Sequence, residues 1–195
     1  MMHQIENVNK KGEFMTFFTR WLLVAICAAA HLSATLVDTP KMQMDTDGNM
    51  VTIWQETVDG RYCIKVATKT KAASSWSTPE ILSSSTTNSY APKLVLDADG
   101  NAVAVWQSDF VINNTLIRGL FARQLPQGGS WTSLAQITSI THAVSSDFEL
   151  RVDGVGDVGV VYQAIDTANT TSLTSGMYST TKTSGSGWST PLQIS

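Results

Sequence analysis

The sequence predicts an all-β fold: three four-stranded antiparallel units of the propeller-blade type, preceded by an N-terminal signal helix. The same stretch recurs three times, with Trp54, Trp106 and Tyr162 at corresponding places, 52 and 56 residues apart. Each copy divides into four short β-type runs, and helical periodicity is absent after residue 35. A period of about 50 residues made of short strands is typical of a propeller blade or a comparable repeat array. The expected blades cover about 38–86, 87–140 and 141–195. A three-hairpin sandwich or a β-prism is the competing architecture.

The N-terminus is read as an export signal. Ten apolar residues, WLLVAICAAA, follow a cation and precede small residues, as in secretory signal peptides. The run is shorter than the roughly 20 apolar residues of a spanning helix. We predict a signal peptide over 1–34, with cleavage after Ala34 or near Ala30, and an exported protein that is periplasmic, at the cell surface or extracellular. Residues 1–14 are polar and suit such a signal poorly, so a second interpretation starts translation at Met15. An uncleaved anchor and a lipidated Cys27 are the weaker alternatives.

The first run of each repeat ends in an Asp-rich turn. These runs are Lys41 to Asp45, Lys93 to Asp97 and Glu149 to Asp153, and their turns read DTDGN, DADGN and DGVGD. Asp-Gly and Gly-Asn steps supply the positive φ angles that a hairpin turn needs. The same oxygens could bind calcium, but the full calcium loop with its closing Glu is absent. We therefore predict ordinary hairpins and no metal.

The second run, MVTIWQ in the first repeat, is apolar on both sides. Met50, Thr52 and Trp54 alternate with Val51 and Ile53. A strand that is apolar on both faces is covered on both. We expect the neighbouring blades to provide that cover.

The last two runs complete the blade. The third, RYCIKVATK in the first repeat, alternates as a strand nearer the rim does. The fourth is expected to start at Trp76, Trp131 and Trp188 in the three repeats. A large aromatic that recurs at one repeat position is usually part of the core, so we expect these tryptophans to plug the junctions between adjacent sheets.

These residues resemble the blades of sialidase-like, BNR-repeat propellers. PKLVLDADGNAVAVWQ is followed by a strand and then by GSW. The matching stretches KTKAASSW (69–76), LPQGGSW (125–131) and KTSGSGW (182–188) keep the Trp of the family's Asp-box but lack its Asp. The resemblance implies a propeller fold. It also implies sialidase chemistry through an arginine triad, a Tyr/Glu pair and an aspartate. No arginine after the signal segment stands in the family's Arg-Ile-Pro context, so no catalytic residue is carried over.

Composition excludes several classes of function. The chain is 43% hydrophobic and 15% charged, with a net charge of -3, so it offers no basic stripe for nucleic acid. Cys63 is expected to be a small buried residue, and His142 a surface histidine. No catalytic serine, zinc or phosphate-loop motif is present in the sequence, and no cofactor is predicted.

Binding residues are expected where the second strand ends. Gln55, Gln107 and Gln163 close that strand in every repeat, and the segments 56–60, 108–115 and 164–175 that follow them differ most in sequence. Variable loops on a repeated scaffold usually carry specificity. The alternative role for the glutamines is a hydrogen bond that locks neighbouring blades. The candidate ligand-binding residues are Gln55, Gln107, Gln163, Arg61, Asp109, Asp166 and Tyr90.

Three blades do not close a ring, since propellers typically have four to eight. The end sheets would expose apolar faces, which mark an interface. Self-association or further blades are therefore expected. The predicted function is non-catalytic binding of a carbohydrate or protein partner, with no membrane contact after signal cleavage. A sialidase-like glycoside hydrolase, or a fragment of one, is the alternative, and a purely structural envelope repeat is a third class.

Overall fold

The computed structural model describes residues 39–168 and 173–195. Inter-residue contacts divide the chain into two compact units, Met1–Leu36 and Val37–Ser195, and all described residues belong to the second. The predicted signal segment, 1–34, lies outside the described residues. In the described part, no helix is long and apolar enough to cross a membrane.

In the described part of the chain, twelve strands form three antiparallel sheets of four, which confirms the all-β prediction. The first sheet contains β1 (Lys41–Met44), β2 (Met50–Val58), β3 (Arg61–Lys69) and β4 (Glu80–Ile81). The second contains β5 (Ser89–Leu96), β6 (Ala102–Ile112), β7 (Thr115–Leu125) and β8 (Ala135–Gln136). The third contains β9 (His142–Val152), β10 (Val158–Asp166), β11 (Thr174–Lys182) and β12 (Leu192–Gln193). In each sheet the spatial order of the strands is their order along the chain, so every sheet is a simple meander.

In the first two sheets, the segments after Gln55 and Gln107 are strand up to a two-residue turn rather than loop, which corrects the sequence prediction. β2 continues to Val58, β6 to Ile112 and β10 to Asp166. The β2–β3 turn is only Asp59-Gly60, with φ of 50° and 77°, and the β6–β7 turn is Asn113-Asn114, with φ of 48° and 62°. Two successive residues with positive φ give the tight turn whose twist matches that of the flanking strands. The strands can therefore pair up to the turn itself.

The fourth strands are much shorter than predicted. Each has two residues and begins after the repeated tryptophan. Pro79 and Pro191 lie immediately before β4 and β12, and proline cannot donate to a β-ladder. The tryptophans therefore lie on the approach to the edge strand.

The two faces of each sheet can be named after β2, β6 and β10. We call the side that bears Trp54, Trp106 or Tyr162 the Trp face, and the side that bears Ile53, Val105 or Val161 the Val face, because successive strand residues point to opposite sides. The Val face of the first sheet packs on the Trp face of the second. The Val face of the second sheet packs on the Trp face of the third. The same junction is thus formed twice.

Among residues 39–168 and 173–195, only the middle sheet is covered on both faces. Trp106 and Val105, on opposite faces of β6, are both 0% exposed. β2 and β10 are each buried on one face only, so the two-sided cover predicted for every second strand holds only for β6. Trp131 and Trp188 pack against the two core clusters, as predicted, whereas Trp76 is 39% exposed.

The Asp-rich turns are hydrogen-bonded as hairpins. The Asp97 carboxylate accepts the backbone N–H of Asn101 and its side-chain amide, both at 2.8 Å. The Asn101 amide oxygen in turn accepts the backbone N–H of Gln127 at 3.0 Å. The first sheet repeats this with Asp45 and Asn49. In both turns the Asp oxygens are used by N–H donors. Among the described residues no group of three or more His, Cys, Asp or Glu side chains could hold a metal.

The turns also connect neighbouring sheets. A Cβ added to Gly100 in the second sheet would lie 3.0 Å from Oδ2 of Asp45 in the first. A Cβ on Gly156 in the third sheet would lie 2.9 Å from Oδ2 of Asp97 in the second. In the second and third sheets, the glycine of the turn therefore leaves space for the aspartate of the preceding sheet.

Candidate functional site

Two of the predicted ligand-binding residues, Tyr90 and Asp109, come together in the second sheet. The Tyr90 hydroxyl donates to Oδ2 of Asp109 at 3.0 Å. Tyr90 also lies directly opposite Gln107 in the β5–β6 pair. Asp109 is only 8% exposed, so its carboxylate is held within the protein and not in bulk water.

Two residues that the sequence interpretation missed complete this group. Nε of Arg118 donates to Oδ1 of Asp109 at 3.0 Å, and the guanidinium lies 4.2 Å from the centroid of the Tyr90 ring. The Tyr62 ring, from the first sheet, lies 5.6 Å from the Tyr90 ring at 52°. Tyr62 is 41% exposed. We call Tyr62, Tyr90, Asp109 and Arg118 the tyrosine cluster.

Local backbone features place the cluster where the β2–β3 hairpin meets the second sheet. The backbone N–H of Tyr62 donates to the Asn88 side chain at 3.1 Å, and the backbone N–H of Asp109 donates to the Asn88 carbonyl at 3.0 Å. The β5–β6 register shifts just after Tyr90, where Ala91 has a φ of 48°. Such bulges redirect side chains at the end of a strand. Asn88 and the bulge together set the position of both tyrosines.

Burial and one ion pair set the electrostatics of the tyrosine cluster. Burial, and then the hydrogen bond to the Asp109 carboxylate, raise the pKa of Tyr90 above its usual value, so the phenol stays protonated and remains a donor. Arg118 pairs with the Asp109 charge and stacks on Tyr90, as guanidinium groups do on aromatic rings. The result is a fixed, neutral polar pair beside an exposed aromatic ring.

The other predicted binding residues are spread over the first and third sheets. Gln163 and Asp166 belong to the third sheet, where the Gln163 amide donates to the Ser175 hydroxyl at 3.3 Å. Hydrogen bonds from the Ala168 backbone and from Thr141, with the nearby His142, lower the pKa of Asp166 against the effect of burial. Gln55 is half-buried in β2 and Arg61 is exposed at the start of β3. The seven candidates therefore do not form one site.

His142 is buried, which corrects its assignment as a surface residue. It is 7% exposed, its Nδ1 lies 3.1 Å from the Tyr162 hydroxyl, and its ring centroid is 4.1 Å from that of Tyr178. Burial lowers the pKa of His142, partly opposed by Asp166. His142 begins β9 opposite Asp166 at the end of β10, a position that the lone histidine in the sequence did not reveal.

A cleft of about 640 Å³ opens between the first and second sheets near the β1–β2 turn. Nε of Arg123 and Nε1 of Trp131 line it, buried and without a hydrogen-bond partner among the described residues. Lys69 lies on the same walls, as do the acidic Asp45 and Glu80. Charges of both signs balance here and give no electrostatic preference for a ligand. The tyrosine cluster, with its exposed ring, is the better candidate.

Comparison with protein-family models and with curated proteins found no match for this chain. The sialidase-like resemblance stays a prediction from the sequence.

Proposed function

We propose that the three sheets are blades of a propeller-type arc in an exported, non-catalytic protein that binds carbohydrate through the tyrosine cluster. Two features support the arc. The first strands of the sheets are neighbours across the junctions, since β5 contacts both β1 and β9. Both junctions also join a Val face to a Trp face. Repetition of one junction around the innermost strands is how blades fan about an axis.

The carbohydrate assignment depends on one observation, the exposed Tyr62 ring beside the Tyr90–Asp109–Arg118 network. An aromatic face buries the apolar side of a sugar ring, while fixed charged groups hydrogen-bond its hydroxyls. Because Arg118 and Asp109 already hold each other at 3.0 Å, little side-chain freedom is lost when a ligand binds. The network is neutral, so a neutral sugar is the fitting ligand class.

A substitution pair at one position tests this proposal. In titrations of neutral oligosaccharides followed by NMR or calorimetry, Tyr62→Ala should abolish binding. Tyr62→Phe keeps the ring and should stay within about threefold of the wild-type affinity, because stacking needs the ring and not the hydroxyl. Equal loss in both variants, or no binding of any neutral glycan by the wild type, would contradict the proposal.

A protein partner is the second candidate. Tyr and Arg are the residues most often found at protein hot spots, and Tyr62 with Arg118 would suit one equally well. A glycan-array result without binding, together with a captured protein whose binding Tyr62→Ala abolishes, would favour it.

A glycoside hydrolase remains the third possibility, from the resemblance and from the Tyr90–Asp109 contact. Its nucleophile would have to be activated by an adjacent base, and the Asp109 carboxylate that would serve as that base is already paired with Arg118 at 3.0 Å. Turnover of a fluorogenic sialoside, lost in Asp109→Asn, would replace the binding proposal with an enzymatic one.

A further inference from the structure

The two end sheets each present a face whose counterparts elsewhere are buried. Met42, Leu94 and Leu150 occupy one position on the Trp face of successive sheets and are 56%, 5% and 2% exposed. The second and third sheets are covered there by the Val face of the sheet before them. The Trp face of the first sheet has no such cover among the described residues.

The opposite end has the complementary surface. Ile53, Val105 and Val161 occupy one position on the Val face and are 0%, 0% and 38% exposed. At the next position, Met177 of the third sheet is 37% exposed, where Ile64 of the first is fully buried. The internal junctions each join a Val face to a Trp face. The Trp face of the first sheet and the Val face of the third are thus the two partners of one more such junction.

From this continuity we propose that two copies of the chain associate head to tail, with the Val face of the third sheet of one copy on the Trp face of the first sheet of the other. Each copy gives one face and accepts one, so two copies close a ring that leaves neither face exposed. The ring contains six sheets, within the four to eight typical of propellers.

Charge complementarity supports this occupant. Lys41, Lys93 and Glu149 hold one repeat position, each paired with the central Val-face residue of the next strand. At the junction of the second and third sheets, Lys93 lies 3.5 Å from Glu149. Repeating that junction between copies brings Glu149 to Lys41, two opposite charges.

The turns support it as well. Inside the chain, Asp45 fits against Gly100 and Asp97 against Gly156. The next member of that series is Asp153, and in the proposed junction it meets Gly48 of the second copy. Gly48 has a φ of 87°, like its counterparts. The three heavy atoms nearest to its added Cβ all belong to the Lys71 side chain, at 3.3, 3.4 and 3.6 Å, so a carboxylate enters this turn when that flexible side chain moves aside.

Sedimentation and light scattering of the full chain should show a dimer. Met42→Asp and Val161→Asp should each raise its dissociation constant at least about 100-fold, since either buries an unpaired carboxylate in the junction. Val111→Asp is the matched control. Val111 is 63% exposed in the β6–β7 hairpin, away from both faces, and this variant should dimerise as the wild type does. Circular dichroism confirms that each variant is folded.

The outcomes separate the possible occupants. A wild-type monomer overturns the proposal. A monomer is the result expected if another segment of the chain covers the first sheet. A dimer insensitive to both substitutions, as association through residues 1–38 would give, also overturns it. Loss of the dimer with only one of the two substitutions indicates that the same face of both copies forms the contact, and this overturns the head-to-tail arrangement.

A second measurement does not depend on the variants. A zero-length carbodiimide cross-link between Glu149 and Lys41 should join isotopically labelled and unlabelled copies in a mixed sample. Its absence, while Glu149 cross-links to Lys93 within a copy, refutes the junction. Neither measurement involves a glycan, so their failure leaves the carbohydrate proposal untouched.

Discussion

Gly156→Ala tests whether the turns hold adjacent sheets in register. Gly156 has a φ of 87°, and alanine in the left-handed region costs about 1–2 kcal/mol. The restricted unfolded chain returns about 0.4–1 kcal/mol. That part alone predicts a loss of about 1 kcal/mol of unfolding free energy. Gly60→Ala is the matched control, because Gly60 has a φ of 77° and nothing within 4 Å of an added Cβ.

The contact across the junction adds a second cost at Gly156 only. The new Cβ would lie 2.9 Å from Oδ2 of Asp97, so the carboxylate must move. Asn101 holds that carboxylate through two hydrogen bonds of 2.8 Å. Losing one charged hydrogen bond costs about 1.5–3 kcal/mol. The expected total is about 3 kcal/mol for Gly156→Ala, against about 1 kcal/mol for Gly60→Ala.

Urea unfolding of the two variants, followed by tryptophan fluorescence at one protein concentration, measures the difference. The midpoint of Gly156→Ala should fall well below that of Gly60→Ala, with a similar slope. If the two variants agree within about 0.5 kcal/mol, the usual scatter of such values, the Asp97–Gly156 contact does not hold the sheets together.

Three further predictions concern buried side chains. His142 has a lowered pKa, so the unfolded chain takes up its proton first. Neutral His142 therefore contributes stability above its pKa in the unfolded chain, and this contribution is lost as pH falls through its pKa in the folded chain, with a slope of up to about 1.4 kcal/mol per pH unit. In His142→Gln, the unfolding free energy should change less between pH 7 and 5 than in the wild type. Trp106→Ala should cost about 3–5 kcal/mol, but Trp54→Ala clearly less in the monomer, since Trp54 is only half-buried; equal costs would contradict the one-sided cover of the first sheet. Burial raises the pKa of the Cys63 thiol, so iodoacetamide at pH 8 should modify it at least about tenfold more slowly in the native chain than in urea; mass spectrometry of the Cys63 peptide measures both rates.

The strands were predictable because their signals are local. The period-2 pattern of RYCIKVATK matches β3 at both ends, and the Asp-Gly steps mark turns with positive φ. The length of β2 beyond Gln55 was missed because Glu56 and Thr57 are polar. Those residues pair with Cys63 and Tyr62 in the β2–β3 ladder. The tight hairpin turn sets this pairing, and it cannot be predicted from the residue types alone.

The site was only half predictable for a related reason. Tyr90 and Asp109 were named as separate candidates, but the contact between them depends on the bulge at Ala91. Arg118 pairs with Asp109 across β6–β7, so the length of that hairpin could have identified it. Tyr62 comes from another sheet, and only the packing of sheets brings it to Tyr90.

The repeated use of one pair of surfaces has a consequence for how such a chain can evolve. A tandem duplication of any single repeat yields a copy that already matches the repeats before and after it, because both internal junctions join a Val face to a Trp face and an aspartate to the glycine of the next turn. Gain or loss of a repeat therefore needs no redesign of the interior. Divergence is then concentrated at the hairpin ends, where one repeat position holds Tyr62 in the first sheet, Arg118 in the second and Ser175 in the third.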